Sequence, residues 1–199
     1  MTLPLLAAGR NVLSFEAMPK NAQLVNASVH HNRAAGRPFG KHVLVNKAVV
    51  GHARYAEGSP VCLFWPPRQN RNANNQGAIG VRKQSDPMVG LDGVPYGCLA
   101  HVGVTTIDAE LDRTGLRNAS WAAFKADCET CEKDAFEGAS RRLFCGDHPP
   151  SLVITEYFEG MTWLTAWAAD YGYSDPGGQN GDARIRHEVR GPRCDAASR

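Results

Sequence analysis

The chain has 199 residues, enough to bury a core as one domain or as one domain with a small appendage. An apolar share of 43% with 21% charged residues excludes a disordered polyelectrolyte, and no apolar run is long enough to span a membrane. The net charge of +2 conceals a division: residues 1–85 carry eleven lysines and arginines against only Glu16 and Glu57, a balance of +9, whereas residues 86–199 carry eleven against eighteen acids, a balance of −7.

Such asymmetry suits a subunit that meets a polyanion with its basic half and protein neighbours with its acidic half. The plainer alternative is that the halves neutralise each other inside one folded unit. Glycine, proline and asparagine are frequent, which predicts a loop-rich fold.

Residues 1–29 alternate short apolar pieces with polar breaks and read as a strand or extended arm rather than a long helix. Their start lacks the basic n-region of a secretory signal, while the scarcity of acids over the first fifty-six residues keeps a mitochondrial presequence open. Residues 30–42 form a basic, Gly- and Pro-punctuated segment that reads as an exposed loop. Its Arg33, Arg37 and Lys41 can contact phosphate oxygens, and Phe39 can stack on a base. The alternative is a solvated loop with nothing bound.

Residues 42–50 and 61–65 are β-branched and apolar, as buried strands require, and Pro66-Pro67 stop the second because proline cannot donate to a ladder. The following loop carries Arg68, Asn70, Arg71, Asn72, Asn74 and Asn75, forked polar groups with almost nothing to bury. Beyond a strand at residues 78–81, Arg82 and Lys83 extend the same basic patch. Residues 86–97 are turn-dense, and residues 98–107 return to a strand pattern in which His101 reads as scaffold. Asp108 opens a short helical turn, and Ser120 is expected to cap a helix over residues 121–125.

That helix would feed the pair Cys128-x-x-Cys131 and, thirteen residues later, Cys145-x-x-His148. Two such corners can complete a closed Cys3His tetrahedron around one structural Zn²⁺, with Gly138 reversing the chain and Leu143 and Phe144 supplying the return of a small zinc ribbon. Four metal ligands and no secretory signal predict a reducing, intracellular compartment, with Cys62, Cys98 and Cys194 as free thiols. Beyond, residues 152–158 read as a strand. Residues 161–171 read as a helix ending at Gly172, with Trp163, Trp167 and Tyr171 as a core stripe; a strand at 183–189 and a disordered end complete the chain.

The expected architecture is α+β: an irregular, mostly antiparallel sheet with a few helices and the zinc ribbon. It divides into a basic β-rich region (1–118), a helix-plus-ribbon element (119–150) and a C-terminal strand–helix layer (151–199). Nucleophile elbows, phosphate-binding loops, dinucleotide fingerprints and zinc-protease or deaminase motifs are absent, so catalysis is not predicted. The expected function is non-catalytic binding of RNA or DNA as a zinc-containing subunit of a ribonucleoprotein assembly, such as a CRISPR-type effector complex or a ribosome-like particle. Two alternatives differ in class. One is a zinc-stabilised structural protein of a virion or sheath; the other is an HNH-like nuclease using His30 or His31 with a metal near Asp147.

Overall fold

The computed structural model describes residues 1–64, 80–83, 97–128, 131–157, 161–174 and 181–196, which hold seven helices and four small sheets. The mixed α and β character expected from the sequence is present, but parallel pairs are as prominent as antiparallel ones. The chain opens with α1 (Thr2–Ala7), β1 (Val12–Phe15), α2 (Pro19–Ala34) and β2 (His42–Val45). β1 and β2 run parallel, Val12 opposite His42 and Phe15 opposite Val45. A parallel pair cannot be joined by a tight turn, and α2 is the crossover.

Residues 1–29, expected to be extended, are therefore largely helical. The signal for α2 is hidden because only Ala22 and Val29 are buried along it and most of its polar residues, the asparagines, Ser28 and the histidines, are poor helix formers. Ser28 donates its hydroxyl to the Leu24 carbonyl at 2.8 Å and Asn32 its amide to the Ser28 carbonyl at 2.8 Å, so these side chains bond back along the helix they would otherwise weaken. Pro19 in the first turn starts it, and Glu16 Oε1 accepts the Met18 N–H at 2.8 Å.

The middle of the chain contains β3 (Ala48–Val49), α3 (His52–Glu57), β4 (Val61–Phe64), β5 (Gly80–Lys83), β6 (Ala100–Val102), β7 (Val104–Thr105) and α4 (Ile107–Thr114). All four residues of β4 are buried, between antiparallel β5 and β6, while β3 pairs parallel with β7. Ala48, Val61, Leu63 and Val102 close a small core here. Thr106 caps α4, its Oγ1 accepting the Ala109 N–H at 3.0 Å.

The larger core belongs to β8 (Ala123–Ala126), α5 (Glu132–Gly138), β9 (Leu152–Tyr157), α6 (Thr162–Tyr171), β10 (Gly181–Arg186) and α7 (Pro192–Ala196). β8 is a strand where a helix capped by Ser120 was expected, because its parallel partner β9 decides the local conformation. α6 ends at Gly172 in the left-handed region as predicted, and Trp167 and Tyr171 are core. Their rings pack with Phe136 and Phe144: Trp167 meets Phe136 at 4.6 Å and Phe144 at 4.7 Å, both edge-on.

The zinc ribbon is overturned. Cys128 is bonded to Cys131, Cys145 to Cys194, and Cys62 to Cys98, so the three expected thiolate ligands are consumed and no free thiols are left. His148 is exposed, and no group of three or more metal-ligating side chains exists among the described residues. Gly138 ends α5, and Leu143 and Phe144 are buried core rather than a returning strand. The C-terminal segment, expected to be disordered, is held by Cys194 on α7. Three cystines also contradict the reducing compartment and point to an oxidising one.

The bonds differ in weight. Cys145 and Cys194 are 49 positions apart and Cys62 and Cys98 are 36 apart, so each restrains the unfolded chain by about 4 kcal/mol, whereas Cys128 and Cys131, three apart, restrain it by about 2 kcal/mol. Urea unfolding should therefore show Cys145→Ser losing roughly twice the stability that Cys128→Ser loses. Equal losses would contradict this ranking.

Candidate functional site

Which cations of the basic half are free to act depends on a seam between the two halves. Lys47 precedes β3, His52 and Arg54 lie on α3, and all three face acids of α4 and α5. Asp108 is buried; its Oδ2 accepts the Arg141 N–H at 2.8 Å and the His52 Nε2 at 3.1 Å, while Oδ1 accepts the N–H groups of Arg142 at 2.9 Å and Leu143 at 3.3 Å. Desolvation pushes the Asp108 carboxyl upward, opposed by those backbone donors and by His52.

Glu110 is also buried. Its Oε1 accepts from Lys47 Nζ at 3.0 Å and Thr105 Oγ1 at 2.8 Å, and its Oε2 from Arg113 Nε. Burial alone would raise its carboxyl, but hydrogen bonds from Arg113, Lys47 and Thr105 outweigh it and hold the group below its ordinary value. Arg54 approaches Asp134 at 3.8 Å. A Cβ on Gly138 would sit 2.5 Å from the Val50 carbonyl oxygen, so only glycine lets α5 close on this seam. Mutual neutralisation, the plainer reading of the charge division, is realised here.

Arg33, Arg37 and Lys41 are arranged otherwise. They lie at the end of α2 and in the link to β2, and all three are exposed. Arg33 Nη2 donates to the Gly40 carbonyl at 3.0 Å and Arg37 Nη1 to Asn32 Oδ1 at 3.0 Å, while the Lys41 N–H is held by Asn11 Oδ1 at 2.9 Å. Gly40 is buried and donates its N–H to the Leu6 carbonyl at 2.9 Å; a Cβ there would fall on the carbonyl oxygen of Arg10.

This packing places the exposed Arg10 beside Lys41. The sequence reading missed Arg10, because only the parallel pairing of β1 with β2 puts the residues that precede the two strands side by side. Among the described residues, the ion pairs engage none of Arg10, Arg33, Arg37 and Lys41. Beside them, His42 Nε2 shares a 2.7 Å hydrogen bond with Ser14 Oγ, and burial, followed by the charge of Arg33, lowers its pKa. Phe39 is half-buried, which limits the face it can offer for stacking.

Arg68, Asn70, Arg71, Asn72, Asn74 and Asn75 lie outside the described residues. Arg82 and Lys83 belong to β5, in register with Cys62 and Val61 of β4. His30 and His31 are exposed on the last turns of α2, and neither forms a metal-ligating group among the described residues. Compared with protein-family models, curated proteins and solved structures, the chain matches none.

The seam has a pH signature. Because the folded pKa of Glu110 is depressed, its contribution is full above the ordinary glutamate value of 4.5 and is lost as pH falls through the folded value. Urea midpoints should fall more steeply for the parent than for Glu110→Gln as pH drops from about 5 to about 3. Parallel curves would contradict the assignment.

Proposed function

We propose that the protein binds nucleic acid without catalysis, engaging phosphate oxygens through Arg10, Arg33, Arg37 and Lys41. The observation that carries this reading is the contrast within the basic half: Lys47, His52 and Arg54 are matched by seam carboxylates, while the four cations at the amino ends of β1 and β2 have no ion-pair partner among the described residues. Arginine forks suit phosphate oxygens, and backbone contacts of this kind fix a protein on a strand without reading its sequence.

Three cystines revise the expected setting. They favour a nucleic acid met in an oxidising compartment over a cytosolic effector complex or ribosome-like particle, and they replace zinc as the staple of the scaffold. Exposed acids outside the seam, such as Asp127 and Asp147, would face protein neighbours.

Fluorescence anisotropy with labelled duplex DNA and single-stranded RNA tests the proposal. Four phosphate contacts predict that affinity falls by about 100-fold between 50 and 200 mM salt. Combined Arg33→Glu and Arg37→Glu substitutions should abolish binding, whereas Arg117→Glu, just beyond the end of α4, should leave it intact. Absence of binding, binding insensitive to salt, or binding unchanged by the double charge reversal would overturn it; salt-insensitive self-association would favour a structural assembly role instead.

A further inference from the structure

The bond between Cys128 and Cys131 contributes the least of the three to the fold. It closes the shortest loop of the three, and both cysteines are half-buried, whereas each of the other cystines has a sulfur-bearing residue anchored in the interior, Cys62 and Cys194. The elements on either side are held by other means. β8 is fixed by its register with β9, and α5 by the buried Ala135 and Phe136. The segment itself keeps two hydrogen bonds independent of the sulfurs: the Cys128 N–H to Glu132 Oε1 at 2.9 Å, and the Ala135 N–H to the Cys131 carbonyl at 2.9 Å. Glu132 is 3% exposed, a buried carboxylate in the first turn after the second cysteine. A disulfide between two half-buried cysteines that can open without releasing its frame has the properties of an exchanging bond rather than a staple.

We propose that Cys128 and Cys131 form a thiol–disulfide exchange site that oxidises dithiols of peptides or proteins. A thiolate of the incoming dithiol attacks one sulfur of the pair; the Cys128–Cys131 bond breaks, a mixed disulfide forms, and the departing cysteine leaves as a thiolate that takes up a proton. The second thiol of the incoming molecule then attacks its own sulfur in the mixed disulfide. That step releases the other cysteine and leaves the incoming molecule as a disulfide. Two electrons and two protons pass from the dithiol to the pair, so no further oxidant enters the step. Glu132 acts as a positioning residue, holding the Cys128 amide so that the two sulfurs stay adjacent in both oxidation states. Glu129 and Thr130, between the cysteines, lie outside the described residues.

The test uses the full chain. Native protein is exposed to a graded series of oxidised and reduced dithiothreitol, trapped with iodoacetamide and mapped by mass spectrometry, with circular dichroism recorded on each sample. The Cys128–Cys131 bond should open at least tenfold faster than the other two, with the spectrum unchanged. Oxidised protein should then convert a synthetic two-cysteine peptide to its disulfide in a one-to-one ratio, an activity lost in Cys128→Ser and in Cys131→Ser. In Glu132→Gln the rate should fall and its pH profile should shift, an effect that loss of stability alone would not produce. Simultaneous opening of all three bonds, opening only with unfolding, or failure to oxidise the peptide overturns the proposal. The mapping of the parent protein decides the matter even if a serine variant fails to fold.

Discussion

The fold depends on one carboxylate. Asp108, in the first turn of α4, collects the three successive N–H groups of residues 141–143 and the His52 imidazole, and so ties α3, α4 and the turn after α5 to one point. Without that acceptor, the part-buried N–H groups of Arg141 and Arg142 would lose their partner, each at a cost of about 1 to 3 kcal/mol, whereas the Leu143 N–H keeps the Ala139 carbonyl at 3.2 Å. The turn it holds also delivers Leu143 and Phe144 to the large core, so a polar interaction sets the position of an apolar one.

Two positions along the same helix, Glu110 repeats the device with side-chain donors, drawing in Lys47 from the strand side and Arg113 from its own helix. The seam is therefore selective. It absorbs the cations that lie next to α4 and α5 and leaves those at the opposite end of the βαβ unit, where Gly40 packs against Arg10 and gathers the remaining positive charge. Division of charge along the sequence and neutralisation in space are both true of this protein, at different places.

Several elements were legible because their pattern was complete within a short window. β4 reads from its unbroken apolar run, α6 from its aromatic stripe and terminal glycine, and β9 from its β-branched core. Others failed where the deciding partner is distant. β8 looks like a helix until β9 is beside it, and α2 looks irregular because only two of its side chains are buried. Cysteine spacing misled for a physical reason: a Cys-x-x-Cys pair fits a metal corner and a local disulfide equally well, and the choice was set by Cys194, about fifty residues beyond Cys145 and adjacent to it only after folding. Of the site, Arg33, Arg37 and Lys41 were readable as a cluster, whereas Arg10 joins them through strand pairing that no local pattern announces.

The most direct measurement is the unfolding free energy of Asp108→Asn, followed in urea by tryptophan fluorescence and by circular dichroism together. Asparagine keeps the shape but turns one acceptor into a donor facing the Arg141 N–H and His52. The loss should be at least about 2 kcal/mol, seen equally by both probes because the aromatic core and the backbone share this anchor. A variant within about 0.5 kcal/mol of the parent would show that the Asp108 carboxylate does not hold the two halves together.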